Sequence, residues 1–325
     1  GEKNVAIGNY ALDALTSGDT NVAIGYDAGT GLTTANNCTF VGWEAGGSGT
    51  ITGSQNTVIG ATSGTSLVGG SGNTVLGPYA LKGNTEGDHN IAIGSDAVRY
   101  PDTESHNIGI GFQALGGSGV AGGEYNVCVG GLAMDALTSG DDNAGLGYQA
   151  LSQVTTGSKN TGIGKGAGGG ITTGSENVCL GREAQAAAVD SDNSITLGSS
   201  AISSLRCQVQ SISALSDERD KTDIIDLPYG LDFINSTRPI QYKWNIRDKY
   251  LLENNPHQGK TRNGFIAQEL LALGNNDQHG LVLEDNPDRL EAANAALMPM
   301  MVKAVQELSA QVTTLKDEIN TLKGE

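Results

Sequence analysis

The sequence predicts a mainly β protein: a repetitive β-solenoid or β-roll of 17-residue repeats, followed by a small α+β domain that ends in a long coiled-coil helix. Three observations support this prediction. A glycine-terminated unit recurs along the first 200 residues, the composition changes near residue 215, and apolar residues between Met298 and Leu322 alternate steps of three and four.

The repeat unit is five residues long, beginning with Asn in most copies and ending with Gly, as in Asn4-Val5-Ala6-Ile7-Gly8. Nine of the eleven intervals between these glycines are 17 residues, and the others are 18 and 19. Period-two alternation predicts a short strand in each unit, and the glycine suits a tight turn. Stacked coils share a core that no single coil can bury. The motif glycines are Gly8, Gly25, Gly42, Gly60, Gly77, Gly94, Gly111, Gly130, Gly147, Gly164, Gly181 and Gly198.

Two further columns follow the same period. The residue before each motif glycine is always aliphatic, from Ile7 to Leu197, and we expect this column to face inward. Three residues after each glycine stands a small residue, Ala in eleven copies and Ser63 in the other, which predicts a closely packed second column. Stacked Asn side chains are expected to hydrogen-bond the neighbouring coil rather than to bind a ligand.

Composition and charge exclude several classes of function. There are 36 acidic against 19 basic residues, a net charge of −17, which argues against a nucleic-acid binder. There is no apolar run of membrane-spanning length, so no membrane insertion is expected. The four cysteines lack CxxC spacing, and Cys128 and Cys179 are interpreted as buried packing residues. Acidic pairs such as Asp141-Asp142 lack a full calcium-ligand series, so neither metal nor cofactor is expected.

The change in composition defines the domains. The first 215 residues hold 42 of the 48 glycines, whereas the last 110 hold 6 glycines and 30 charged residues. We predict a twelve-repeat β shaft over residues 1–202, a last strand or linker over 203–215, a separate domain over 216–292 and a terminal helix over 293–325.

The segment after the linker, Ser216 to Lys221, has two interpretations. The structural one is a solvated helix start, with Ser216 as the cap and acids in the first turn. The chemical one is a serine nucleophile with a lysine general base, which requires Lys221 to lose its proton through desolvation or a nearby cation. Residues five apart lie about 140° apart around an ideal helix, so this pair needs a bend or a neighbouring chain to meet.

The last helix is predicted to form a coiled coil. Met298, Val305, Val312 and Ile319 occupy a positions, and Met301, Leu308, Leu315 and Leu322 occupy d positions. The alternative is one amphipathic helix packed on its own domain. β-branched a residues with Leu at d nominally favour a dimer.

Two resemblances to known families add to this. The repeats Asn4-Val5-Ala6-Ile7-Gly8 and Asn90-Ile91-Ala92-Ile93-Gly94 resemble the heads of trimeric autotransporter adhesins and the shafts of phage tail fibres, although those adhesin repeats are shorter than 17 residues. Residues 215–221, followed by the Gly-Phe-Ile-Ala-Gln-Glu-Leu stretch at 264–270, resemble the intramolecular chaperone auto-processing domain. That domain ends endosialidases, many phage tail fibres and tailspikes, and occurs in myelin regulatory factors.

The second resemblance assigns roles to four residues. It implies that Ser216 is the nucleophile, Lys221 is the base, the scissile bond joins Leu215 to Ser216, and Asp217 is a supporting polar residue. The implied activity is that of a serine peptidase that acts once, on its own chain, with no external substrate. The resemblance also implies a homotrimer, against the nominal dimer preference of the helix.

Together these features predict the distal part of a phage tail fibre or tailspike, made in the host cytoplasm and located in the virion. Its expected partners are two further copies, upstream tail or fibre proteins, and a host cell-surface receptor or glycan. Tyr26, Trp43, Phe112 and Tyr148 share the position after a motif glycine, where they could stack on a glycan or pack between chains. The alternatives are a bacterial trimeric surface adhesin and a tailspike that degrades polysaccharide.

Overall fold

The computed structural model describes residues 1–47, 49–99, 102–117, 123–202, 217–243, 259–284 and 290–323. The chain divides into two compact units, Gly1–Ser200, called here the solenoid, and Ala201–Glu325, called the C-terminal unit. Leu215, Ser216 and the predicted strand over 203–215 lie outside the described residues. Within the described ranges, no helix is both long and apolar enough to cross a membrane.

The solenoid is a single parallel sheet of twelve three-residue strands whose spatial order equals their order in the sequence. Every strand pairs in register with its counterpart in the next coil, as Val5, Ala6 and Ile7 pair with Val22, Ala23 and Ile24. The predicted solenoid is thereby confirmed. The strands are β1 Val5–Ile7, β2 Val22–Ile24, β3 Thr39–Val41, β4 Thr57–Ile59, β5 Thr74–Leu76, β6 Ile91–Ile93, β7 Ile108–Ile110, β8 Val127–Val129, β9 Ala144–Leu146, β10 Thr161–Ile163, β11 Val178–Leu180 and β12 Ile195–Leu197.

The orientation predicted for the aliphatic column is wrong. Ile24 and Leu76, which precede motif glycines, are 38% and 47% exposed, whereas the central strand residues Ala23 and Val75 are at most 1% exposed. Successive strand side chains point to opposite faces, so only one parity can face the core. The Asn before each strand shares the parity of the central residue, and its burial places the aliphatic residues on the outside. The small column after the glycines is buried as predicted, from Ala28 through Ala184.

The buried asparagines form a ladder along the stack. The Asn143 backbone N–H donates to Asn126 Oδ1 at 3.0 Å, and Asn143 Nδ2 donates to Gly157 O at 2.9 Å. Asn143 Oδ1 in turn accepts from the backbone N–H of Asn160 at 2.9 Å. Each asparagine thus satisfies backbone groups of the coils on both sides, which confirms the predicted structural role.

Core volume is exchanged between strand and turn along the stack. In the third coil the strand contributes Phe40, and a Cβ atom on the turn residue Gly29 would lie 3.2 Å from its ring. In the ninth coil the strand centre is Gly145, and a Cβ there would lie 3.0 Å from Met134 Cε of the preceding turn. Bulk on one side is matched by glycine on the other, so the cross-section stays filled without overpacking.

The motif glycines are required for two reasons. Gly94 has φ +127°, a conformation that side-chain-bearing residues rarely adopt, and a Cβ atom would lie 2.6 Å from the carbonyl oxygen of Gly111 in the next coil. The free thiols of Cys38, Cys128 and Cys179 are buried, and burial raises the pKa of each. The interpretation of Cys128 and Cys179 as packing residues is therefore confirmed.

The C-terminal unit is a small α+β assembly. A 3₁₀ turn at Glu218–Asp220 precedes α1, and a second at Asn294–Ala296 precedes α4. Strands β13 and β14 pair antiparallel, as do β15 and β16, and the core gathers Leu270, Leu281 and Met300. The elements are α1 Leu231–Ser236, β13 Ile240–Lys243, β14 Thr261–Gly264, α2 Ala267–Ala272, α3 Asn276–His279, β15 Val282–Leu283, β16 Glu291–Ala292 and α4 Leu297–Lys323.

Candidate functional site

The predicted processing site lies at the start of the described part of the C-terminal unit. Asp217, the residue after the predicted nucleophile, caps the 3₁₀ turn: its Oδ1 accepts from the Arg219 backbone N–H at 2.9 Å. The Arg219 guanidinium donates to both carboxylate oxygens, from Nε at 2.9 Å and from an Nη at 2.6 Å. These bonds lower the pKa of Asp217 below its ordinary value and raise that of Arg219.

This geometry revises the structural interpretation of the segment. The capping residue is Asp217 rather than Ser216, and the helical segment is one 3₁₀ turn of three residues. Because Asp217 is held by Arg219, its carboxylate is fixed at the position next to the predicted nucleophile. It can orient a neighbouring backbone or side-chain donor, and it adds negative charge beside Ser216.

Lys221 lies just after the turn. Its backbone is extended, with φ −123° and ψ 143°, and its N–H donates to Glu218 O at 3.1 Å. The separation of 140° around an ideal helix therefore does not apply, because the chain leaves the helical conformation before this residue. Lys221 is exposed in the single chain. A lysine in water carries a proton, so action as a base requires that another surface cover it.

The Gly-Phe-Ile-Ala-Gln-Glu-Leu stretch, residues 264–270, has an architectural role in the described structure. Gly264 ends β14, and Ala267 and Leu270 are buried on the inner face of α2. Glu269 binds the guanidinium of Arg238 through two hydrogen bonds, with Arg238 Nε donating at 2.9 Å. This pair ties α2 to the segment that leads into β13.

Sequence reasoning missed two residues that organise the C-terminal unit. Arg238 lies 31 residues from Glu269, and no local pattern pairs them. Glu307 of α4 accepts a hydrogen bond at 2.7 Å from the backbone N–H of Leu231, the first residue of α1. The available signal for Glu307 was only that it interrupts the polar face of the predicted coiled coil near its start. It fixes α1 against α4.

The long helix α4 presents two faces. Leu297, Met300 and Ala304 are buried against the C-terminal unit. The predicted heptad positions remain uncovered: Val305 is 66% exposed and Leu315 is 56% exposed. The alternative of a helix packed on its own domain therefore holds for the first turns and for a different face. The heptad positions, called here the α4 seam, are Met298, Met301, Val305, Leu308, Val312, Leu315, Ile319 and Leu322.

The four aromatic residues singled out in the repeats are all about half exposed, from 47% for Tyr26 to 54% for Phe112. Lys165 Nζ lies 5.9 Å from the Tyr148 ring centroid. Asp141 and Asp192 each accept a hydrogen bond from a backbone N–H of the preceding coil. In the part of the chain that the structure describes, no three His, Cys, Asp or Glu side chains form a group able to hold a metal ion.

Comparison with known proteins now places the second unit. Residues 216–280 match the family described as a chaperone of endosialidase, a segment that begins at Ser216 and includes Lys221 and the 264–270 stretch. The match supports an intramolecular chaperone in this part of the chain. Neither the curated proteins nor the solved structures contain a match to this chain.

Proposed function

We propose that the C-terminal unit is an intramolecular chaperone that guides three copies of the chain into a phage tail fibre or tailspike, and then cleaves the chain between Leu215 and Ser216. The observation that supports this most strongly is the match of residues 216–280 to the endosialidase chaperone family. The exposed α4 seam adds independent support, because an apolar heptad face of this length is stable only against other helices.

The solenoid explains why such a chain benefits from a guide. Parallel β pairing is slow and leaves sheet edges exposed while chains search for their register. Helices that associate at the C-terminus bring three solenoids to a high local concentration and set them side by side. After the guide is cut away, the assembled trimer has no easy route back, and its persistence becomes kinetic.

The proposed cleavage balances without a cofactor. Ser216 Oγ attacks the carbonyl carbon of Leu215 while the neutral amine of Lys221 takes the hydroxyl proton. The C–N bond breaks, the proton passes from Lys221 to the departing α-amine of Ser216, and an ester joins Leu215 to Ser216 Oγ. Water then hydrolyses that ester and leaves a carboxylate on Leu215. The Asp217–Arg219 pair holds the backbone beside the attacking group in one conformation.

Assembly would act as the trigger for this reaction. Lys221 is exposed in the single chain, where solvent keeps an amine protonated. A neighbouring copy that covers Lys221 would remove it from water and favour the neutral base. Cleavage would then follow trimer formation and would not occur in unassembled chains. In the virion the mature fibre would contact upstream tail proteins at one end and a host receptor or glycan along its surface.

The test is denaturing mass analysis of the expressed chain beside Ser216→Ala, Lys221→Ala and Lys221→Arg. Fragments ending at Leu215 and starting at Ser216 are expected only in the wild type. Lys221→Arg keeps the positive charge but cannot serve as a base, so it separates proton transfer from simple charge. Lys260→Ala, an exposed lysine of the same unit, is the matched control and should cleave normally. An intact wild-type chain in a preparation shown to be trimeric would overturn the cleavage proposal.

A further inference from the structure

The solenoid carries an apolar stripe that its own coils leave uncovered. The twelve residues that precede the motif glycines, called here the outer ridge, all point away from the core, and none of them is buried. Ile7 is 57% exposed and Leu146 is 49% exposed, although the central strand residue between them and the sheet is fully enclosed in most coils. The outer ridge consists of Ile7, Ile24, Val41, Ile59, Leu76, Ile93, Ile110, Val129, Leu146, Ile163, Leu180 and Leu197.

The outer ridge is wider than one column. The first residue of each strand shares its parity, from Val5 to Ile195, and these twelve positions hold only Val, Ile, Thr and Ala. On the other side, Trp43 and Phe112 follow motif glycines and are 52% and 54% exposed. The two strand columns contain no charged residue in a chain of net charge −17. Solvent-facing strands normally alternate with polar side chains, so this uniform apolar face calls for a partner.

The dimensions of the outer ridge match a protein interface. Twelve strands about 4.8 Å apart give a stripe roughly 53 Å long, and three residues give a width of about 10 Å. The strand face alone is then about 500 Å², and the flanking rings bring it near the ~800 Å² that each partner contributes to a standard interface. A stripe of this length also exceeds what a small ligand could cover.

The periodicity identifies the occupant. A partner must present matching side chains every ~4.8 Å over twelve coils, and a second copy of the same solenoid, parallel and in register, has that spacing by construction. Aliphatic side chains without donors or acceptors do not recognise a glycan. The repeats of 18 and 19 residues do not break the match, because the extra residues fall in the turns and the strands keep their register across them.

We propose that the outer ridges of three solenoids face one another around a common axis and form the core of the trimer. This inference rests on the proposed homotrimer and adds the face through which the solenoids meet. It also assigns Trp43 and Phe112, at the margin of the outer ridge, to packing between chains rather than to glycan stacking.

The experiment is cysteine cross-linking of the full chain. Leu76→Cys and Leu146→Cys each place a thiol on the outer ridge, and Ser139→Cys places one on an exposed turn as the matched control. A short bismaleimide is expected to link the outer-ridge variants into covalent dimers and trimers on a denaturing gel, and to leave the control as single chains. The wild type measures the background from the native cysteines.

Sedimentation of the same samples separates this inference from the proposed function. A trimer in which neither outer-ridge cysteine cross-links overturns the outer-ridge interface and leaves C-terminal assembly standing. A monomer overturns both. As a second measurement, Leu76→Asp with Leu146→Asp should still associate through the α4 seam but should lose the resistance of the wild-type solenoid to protease. Unchanged resistance would contradict the proposed interface.

Discussion

The solenoid and the α4 helix complete their structures in different ways. In the solenoid, Asn143 and Val75 are each 1% exposed because the next coil of the same chain covers them. In α4, Val305 is 66% exposed because nothing in its own chain reaches it. The interior of the solenoid is therefore a sum of nearest-neighbour terms, whereas the helix depends on other chains. Changes inside the coils should alter stability, and changes on the α4 seam should alter assembly.

The largest effect is expected at the α4 seam. Leu308→Lys with Leu315→Lys places two charges on the apolar face and should convert trimers to monomers at micromolar concentration, with little change in the circular dichroism of the solenoid. Gln306→Lys with Thr313→Lys adds the same charges at b positions of the same helix and should leave the trimer intact. Sedimentation velocity measures both. Trimers in the seam variant would place assembly elsewhere.

The next effect is expected where coils stack most closely. Gly94→Ala forces a side chain into φ +127° and against the Gly111 carbonyl, and should cost about 2–5 kcal/mol of solenoid stability. Gly131→Ala is the control, because its nearest neighbours would lie 3.7 Å away, at ordinary contact distance. Urea denaturation followed by circular dichroism gives the difference. Equal midpoints for the two variants would show that the coils can separate locally at no cost.

The asparagine ladder should come third. Asn143→Ala leaves the Asn160 N–H and the Gly157 carbonyl without their partner inside the stack, at a cost of about 2–4 kcal/mol. Ser194→Ala removes a hydroxyl from the last rung, where Ser194 Oγ donates to Asn177 Oδ1, and should cost about 1 kcal/mol because the site is only partly buried. If the two variants lose equal stability, the ladder does not act coil by coil.

Much of the solenoid could be predicted from sequence, because the glycine period reports the backbone directly. The same glycines that recur every 17 residues stand where positive φ and close stacking exclude a side chain, so the period gives the strands and their order. The face of each strand was predicted wrongly. Two strict columns, Asn and aliphatic, compete for the interior, and hydrophobicity alone favours the aliphatic one. The small, variable central residue, which is Ala, Gly or Cys in many coils, was the available signal for a narrow core.

The candidate site was less accessible to sequence reasoning. The spacing of Lys221 after Asp217 was readable, but the cap at Asp217 depends on a turn shorter than the expected helix. The contacts of Glu269 with Arg238 and of Glu307 with Leu231 join residues 31 and 76 positions apart, and no periodicity reports such pairs. The α4 seam was readable because heptads are local. Ser216 and Leu215 lie outside the described residues, and their roles stay predictions.

A position where the solenoid departs from its own rule offers a gain in stability. Asn84 occupies the buried column filled by Leu32 and Leu67 in earlier coils, and neither of its side-chain polar atoms has a partner among the described residues. Asn84→Leu should therefore stabilise the solenoid by about 1–3 kcal/mol. Leu67→Asn, one coil earlier, is the reciprocal control and should destabilise it. A loss of stability in Asn84→Leu would show that the amide has a partner in solution, such as a buried water.

The smallest effect should be the acid response of the C-terminal unit. The hydrogen bonds from Arg238 lower the pKa of Glu269, so the folded unit binds fewer protons than the unfolded chain in acid. The pair's contribution is fully present above the ordinary glutamate pKa of about 4.3 and is lost as pH falls through the lower, folded value. Arg238→Gln should melt slightly below the wild type at pH 7, and the two should converge at low pH.

Arg219→Gln tests the same sign at the processing segment, where hydrogen bonds from Arg219 lower the pKa of Asp217. Both pairs are solvent-exposed, so the shifts in melting temperature should be small beside those of the buried ladder. Melting curves between pH 3 and pH 7 measure them. A gap between Arg238→Gln and wild type that widens toward acid would reverse the sign and show that the ion pair opposes folding.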